Sequence, residues 1–208
     1  MKIHYEVDIQ KDFMNETGAL YVPGAEAIKG NIEKLVELAV KNKTRRICSE
    51  DYHFVDDDEL KVFPPHCMCG TVGQARISEV NIRAAPRLHH KMASVACNHI
   101  IKNYTKMIQW WATSDCDVII EKQAVDVSSN PHAELLIKEM DVTDALVYGV
   151  ATEYCVLAAV KALSAWGVRC TVVSDAIAGI DPAACVAAIN EMKSLDAVFM
   201  TTEEAHGW

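Results

Sequence analysis

Three side chains capable of acid–base or nucleophilic chemistry fall where apolar runs end. Asp8 closes KIHYEVDI, Lys122 follows DVIIE, and Cys155 follows DALVYGV near the start of a helical pattern. Each has an ordinary alternative: a solvated Asp or Lys at a strand end, a cysteine packed in a core. Brought together at one sheet edge they would form a reactive set. A thiol attacks as its thiolate, and a helix N-terminus and a nearby ammonium both favour that anion. A carboxylate in reach can take the thiol proton and later deliver it to a leaving amine.

A second group lies in SEDYHFVDDDELKVFPPHCMCG, residues 49–70, which offers Asp51, His53, Glu59 and His66. Asp-x-His places two ligand types on the same side of an extended chain end, and mixed carboxylate and imidazole ligands suit a divalent ion such as Zn²⁺, Mn²⁺ or Fe²⁺. The alternatives are an acidic surface loop with incidental histidines, or a thiolate site from Cys67 and Cys69 with His66. The latter lacks an obvious fourth ligand.

These residues need a scaffold. Six apolar segments read as strands: KIHYEVDI, 45–48, 117–120, 144–150, 169–173 and 196–200. Helical patterns separate them, at 25–42 with Ile28, Ile32, Leu35, Val36 and Ala39 on one face, and at 132–140, 154–166 and 182–193, Gly167 stopping the third. Strand–helix alternation predicts right-handed crossovers and a parallel sheet with helices on both faces, a three-layer α/β/α domain. Such sheets carry their sites at the carboxyl ends of the strands, which is where Asp8, Lys122 and Cys155 fall. A sheet of six strands in the order 3-2-1-4-5-6 makes those three neighbours. Within 75–115, the 3–4 spacing of Met92, Val95, His99, Tyr104, Ile108 and Trp111 predicts a long amphipathic helix over 86–112, a helical insertion that covers the pocket edge or joins subunits. Glu6 and His4 make the first strand unusually polar for a central position.

Composition narrows the class. The 208 residues are 50% hydrophobic and 24% charged, with a formal net charge of −9. That is the profile of one globular domain, 1–208, and the negative charge argues against non-specific binding to nucleic acid or anionic membrane. No run is long enough to span a bilayer, and the first residues hold no apolar signal core. Eight cysteines in such a chain point to reduced thiols and a cytoplasmic setting rather than a disulfide framework. No Gly-x-Gly-x-x-Gly after a strand, no phosphate-cradling Gly-rich loop and no Cys-x-x-Cys is present, so dinucleotide, nucleotide and thioredoxin-like readings have little support.

Taken together, VDIQKDF (7–13), EDYH (50–53), ELKVFPPHCMCGT (59–71), EK (121–122) and GVATEYCV (149–156) resemble the isochorismatase-like cysteine hydrolases, and within them the nicotinamidases. The resemblance covers about residues 1–74 and 117–200. It implies a catalytic triad of Asp8, Lys122 and Cys155, and a cis peptide between Val150 and Ala151 that turns the Ala151 N–H toward the substrate, forming an oxyanion hole with the Cys155 N–H. It implies one divalent metal held by Asp51, His53, a third residue and His66. The spacing E-x3-F-P-x-H selects Glu59 for the third, with Asp57 and Asp58 as possible substitutes. In the family the metal meets a pyridine nitrogen and aromatic side chains flank the ring. Phe13 and Phe63 match those positions, and Tyr154 adjoins the nucleophile. The segment between Thr71 and Lys122 is longer than in compact members.

The expectation is therefore a metal-containing cysteine amidohydrolase that converts nicotinamide and water to nicotinate and ammonia through a thioester. Its partners would be a small-molecule amide and further copies of itself. Two other readings stand beside it: another C–N hydrolase of the superfamily, acting on ureido or carbamoyl groups, and a non-catalytic metal-binding protein on the same fold.

Overall fold

In the computed structural model, which describes residues 1–80, 85–89 and 98–208, β1 (Lys2–Val7) lies in the middle of a seven-stranded sheet. The other strands are β2 (Arg45–Asp51), β3 (Arg87–Leu88), β4 (Val118–Lys122), β5 (Asp144–Val150), β6 (Arg169–Ala178) and β7 (Val198–Met200). Their order is β3-β4-β2-β1-β5-β6-β7 and every pairing is parallel. The six strands expected from sequence keep the expected order. The correction is the seventh, β3, a two-residue edge strand whose Arg87 and Leu88 pair with Ile119 and Ile120.

The helices are α1 (Lys11–Met14), α2 (Ala25–Asn42), α3 (Asn98–Thr113), α4 (Ala133–Glu139), α5 (Leu157–Ala165) and α6 (Pro182–Ser194). Ile28, Ile32 and Leu35 of α2 pack on Leu146, Tyr148 and Val173 of one sheet face. On the opposite face Tyr104, Ile108, Leu136, Ile137, Ala159, Leu163 and Met192 of α3 to α6 pack on Ile3, Tyr5, Ile47 and Val147. Full burial of side chains such as Ile32, Leu35 and Leu163 stabilises by about 1.5–3 kcal/mol each, which is what fixes the layers. No described helix is long and apolar enough to cross a membrane.

The helix expected over 86–112 is changed at its start. Residues 87–88 form β3, 90–97 lie outside the described residues, and α3 begins at Asn98. Trp111 is buried against Tyr104 in the sheet-facing layer, whereas Trp110 is exposed. The described residues of α3 pack on α4 rather than lining the main cavity. The C-terminal end of α3 is fixed by Arg45 of β2, whose guanidinium donates to the carbonyls of Trp111 (2.9 Å), Ala112 (2.8 Å) and Cys116 (2.9 Å).

The polarity of β1 has a structural reason. Glu6 is fully buried, and so is Glu50 on β2. The Arg76 guanidinium spans both, with Arg46 3.5 Å from Glu6 and Arg87 2.6 Å from Glu50. Arg87 and His89 also reach Glu121, at 3.5 and 2.7 Å. Among the described residues, Glu6 of β1, Glu50 of β2 and Glu121 of β4 are therefore tied together by a lattice of ion pairs on this face.

Candidate active site

Strand register brings the distant motifs together. Val7 pairs with Ser49 on one side and Gly149 on the other, and Asp51 pairs with Lys122. Gly149 has φ +129°, and a Cβ there would overlap the Val7 carbonyl oxygen. Only glycine lets β5 lie this close to β1. Beyond it a cis peptide joins Val150 to Ala151, and the chain enters a π turn (Thr152–Val156) that leads into α5. Cys155 sits within that turn. π turns of this kind recur at functional sites.

Asp8, Lys122 and Cys155 meet as expected. Lys122 is fully buried. Its Nζ lies 2.9 Å from Asp8 and 3.5 Å from the Cys155 Sγ, and it pairs with Asp51. Oxygens of Asp8 and Asp51 and the Cys155 sulfur all lie within 4.8 Å of one another. Asp8 has φ +49°, a sparsely populated conformation for a non-glycine residue, and Ser49 Oγ donates to its Oδ1 at 2.7 Å.

Burial pushes the Asp8 carboxyl above its ordinary range, with the Lys122 ammonium opposing it. Burial also pushes the Cys155 thiol well up, against the pull of Lys122. Burial opposes charge on Lys122 too, but the Asp51 and Asp8 carboxylates outweigh it and hold the ammonium well above its usual range. Burial and the Lys122 cation thus pull the thiol in opposite directions, and Lys122 lies between the carboxylates of Asp8 and Asp51.

Beside this set, Asp51, His53, Glu59 and His66 each offer one ligand atom, all within 4.8 Å of one another. Asp51 Oδ2, His53 Nε2, Glu59 Oε2 and His66 Nε2 are buried acceptors without a hydrogen-bond partner. Both imidazoles have the other nitrogen engaged: His66 Nδ1 donates to the Pro64 carbonyl at 2.8 Å, and His53 Nδ1 lies 3.3 Å from Asp57. That leaves both Nε2 lone pairs facing the gap, the tautomer a metal ligand requires. Four convergent acceptors with no donor among them fit a divalent cation. Asp51 is held well below the usual carboxylate range despite burial, by the Lys122 ammonium, while burial and the nearby Asp51 raise Glu59.

The geometry separates the alternatives that spacing left open. Asp57 turns toward His53 and also accepts from the Phe54 N–H at 2.8 Å, and it is not among the four residues whose atoms converge. Asp58 is exposed and pairs with Lys61. Cys67 and Cys69 join no such cluster among the described residues, and Cys69 is exposed beside Tyr52.

A cavity of about 350 Å³, its open mouth included, lies over both clusters. Phe13, Phe63, Tyr154 and Ala151 form part of its lining, with Leu20, Val22, Val125 and Ile180 completing an apolar wall above Asp51, Glu59, His66 and Cys155. Phe63 stands edge-on to Tyr154 with centroids 5.5 Å apart. An apolar wall over a few convergent polar groups is the common lining of a small-molecule site.

Sequence reasoning missed several supporting residues. Gln10 Nε2 donates to the Asp51 carbonyl at 2.8 Å while its Oε1 accepts from the Asp51 N–H at 2.7 Å. Asp12 accepts from the Cys67 N–H at 2.7 Å, next to His66. VDIQKDF thus supplies the carboxylate beside Lys122, a brace for Asp51, a brace for the segment that carries His66 and a wall residue. The available signal was the i, i+2, i+4 spacing of Asp8, Gln10 and Asp12 past the end of β1. Nothing local marked Leu20, Val22, Val125 or Ile180.

The family model for the isochorismatase domain matches residues 6–204. A nicotinamidase/pyrazinamidase of Mycobacterium tuberculosis is 27% identical over 198 residues, 90% of this chain and 92% of that protein. Among solved structures, the pyrazinamidase of Pyrococcus horikoshii in complex with zinc aligns with a TM-score of 0.75 at 22% identity, over 96% of this chain and 98% of that one. The N-carbamoylsarcosine amidase of Thermoplasma acidophilum aligns at 0.73 and 19%, over 97% and 96%. These two structures share the fold.

Proposed function

The chain belongs to the isochorismatase family, a premise from which we propose that it is a hydrolase of amide C–N bonds and, more narrowly, a nicotinamidase acting through Cys155. The observation that carries the narrower reading is the set of orphaned acceptors beside the nucleophile, facing an apolar cavity. A ureido or carbamoyl hydrolase needs no such group. A protein that had lost its chemistry would have no reason to keep a lysine buried between Asp8 and Cys155.

In this reading the carboxamide lies over Cys155 with its ring between the apolar walls near Phe13, Phe63 and Tyr154. Cys155 Sγ attacks the carbonyl carbon as its proton passes to Asp8, whose raised basicity suits that transfer. Lys122, 3.5 Å from the sulfur, stabilises the negative charge that develops there. The Ala151 and Cys155 N–H groups hold the tetrahedral oxyanion. The N–H groups flanking Cys155, those of Tyr154 and Val156, are both spent on the Ala151 carbonyl at 3.1 Å. Asp8 then protonates the departing nitrogen as the C–N bond breaks, and ammonia leaves a thioester. Asp8 takes a proton from water, the resulting hydroxyl adds to the thioester carbon, and the acid departs as the Cys155 thiol is restored.

Asp51, His53, Glu59 and His66 would hold the divalent ion. When bound, it offers an open coordination position to a pyridine nitrogen, which orients the ring. Zinc, manganese and iron all suit the donor set. The expected setting is the cytoplasm and the expected assembly a homo-oligomer of single-domain chains. The 75–115 segment is proposed to serve as an insertion at a subunit contact. Every described cysteine is a free thiol, in keeping with a reducing compartment.

The test is ammonia release from nicotinamide, pyrazinamide, a ureido acid and N-carbamoylsarcosine. Nicotinamide should be turned over with the highest kcat/KM, and its acid limb should lie above the ordinary carboxylate value near 3.8, since Asp8 must be ionised to accept the proton. Preference for the ureido acid or N-carbamoylsarcosine would overturn the narrower reading.

A further inference from the structure

We propose that Glu153 is a positioning residue that holds Ile180 as the wall limiting substrate size. The inference deepens the amidase reading and rests on it for the identity of the ligand.

Glu153 lies in the π turn, two residues before Cys155. Its side chain turns away from the reacting atoms. Oε1 accepts from the backbone N–H groups of Ile180 and Asp181, each at 2.8 Å, and the Cys185 thiol donates to Oε2 at 3.4 Å. β6 ends at Ala178, which pairs with Val150 on β5, so the chain leaves the sheet beside the turn that carries the nucleophile. Residues 179–181 then lead into α6, where the Asp181 side chain caps the Ala184 N–H at 2.7 Å. That cap leaves the Ile180 and Asp181 N–H groups to find another acceptor, and Glu153 is that acceptor. A Cβ at Gly179 would overlap both the Glu153 carboxylate and the Cys185 sulfur, so the loop is seated directly on this clamp.

The clamped loop places Ile180 in the cavity wall, with Tyr154, Ala151 and Cys155 from the turn itself. One carboxylate therefore couples the part of the molecule that attacks to the part that bounds the substrate. The ligand class is a single-ring heteroaromatic carboxamide. A fused second ring needs space that Ile180 takes.

The test compares nicotinamide with quinoline-3-carboxamide in wild-type protein and in Ile180→Ala, Glu153→Ala and Glu153→Gln variants. Ammonia release gives kcat/KM, and calorimetry in a Cys155→Ala background gives the binding ratio without turnover. Ile180→Ala should shift the ratio toward the two-ring amide by about tenfold, the scale of a small change in pocket volume. Glu153→Ala should shift it the same way, Glu153→Gln should restore it, since the amide oxygen still accepts both N–H groups, and Glu153→Ala should add nothing in an Ile180→Ala protein. A purely structural role would lower the Tm and leave the ratio unchanged. If Glu153→Ala does not fold, Gly179→Ala displaces the same carboxylate and should give the same shift. An unchanged ratio in the folded clamp variants, or shifts that add in full, would overturn the proposal while leaving the amidase reading intact. Absence of ammonia release with the expected binding ratios would do the reverse, and binding of neither amide would remove both.

Discussion

Two clusters of buried charge meet at β2, one through Glu50 and one through its neighbour Asp51, and they differ in how their charges are answered. In the lattice around Glu6, Glu50 and Glu121, each carboxylate faces a guanidinium: Arg46 and Arg76 for the first, Arg76 and Arg87 for the second, Arg87 for the third. At the end of β2 and in the segment that follows, Asp51, His53, Glu59 and His66 instead turn four partnerless atoms to one point. Desolvation is costly in both places, and the first cluster meets most of that cost with its own guanidinium groups, whereas in the second only Asp51 has a cation, Lys122. A closed set of pairs is architecture. An open set of acceptors beside a nucleophile is a site awaiting something from outside.

The sharpest way to break this contrast is at the nucleophile. Cys155→Ala should abolish turnover, a loss of at least about 10⁴-fold, with a Tm close to that of the parent, because removing one sulfur costs little beside core truncations of roughly 2–5 kcal/mol. Activity in a folded Cys155→Ala protein would end the cysteine-hydrolase reading. The lattice should answer in the opposite way. Arg76→Met takes one of two guanidinium partners from each of two buried carboxylates, Arg46 remaining for Glu6 and Arg87 for Glu50, and should destabilise by up to about 3–5 kcal/mol in chemical denaturation, with kcat/KM per folded molecule nearly unchanged.

A third prediction concerns pH on the architectural side. Burial, helped by the Arg46 cation, pushes His4 from 6.5 down to about 4. A group whose folded pKa is depressed lets the unfolded chain bind more protons between those values. Stability contributed by neutral His4 is therefore complete above pH 6.5 and lost as pH falls toward 4, by about 3 kcal/mol. Urea midpoints measured from pH 7 to pH 4 should show this slope, and His4→Gln should flatten it. The smallest effect belongs to Asp57. If it only orients His53, Asp57→Ala should weaken metal affinity by about 10- to 100-fold in a chelator competition without eliminating the site. His53→Ala should leave no stoichiometric ion.

Much of this was legible in the chain because it depends on period and on strand ends. Alternating strands and helices require a parallel sheet, and its carboxyl edge had to receive Asp8, Lys122 and Cys155. What escaped depends on pairing across the fold. Arg87 and Leu88 carry no local mark of a strand, since their partner strand begins thirty-one residues later, at Val118. The 3–4 pattern that follows pulled the expected helix back to Pro86. β6 runs on to Ala178 through the polar Ser174 and Asp175 because its register shifts against β5. Gln10 and Asp12 gained their roles only when residues 51 and 67 were folded against them. Spacing favoured Glu59 but left Asp57 and Asp58 open, because closing the choice depends on which carboxylate turns toward His53.

The Arg45 anchor has a consequence for how such a chain can vary. Its guanidinium fastens the last carbonyls of α3 to β2, just ahead of β4. Changes in length upstream of Asn98 meet this fixed point before they reach Lys122. For anyone grafting or trimming sequence here, the anchor acts as a firewall. What it shields is the lysine twenty-four positions after Asn98, which rides on the strand that follows the anchored helix end.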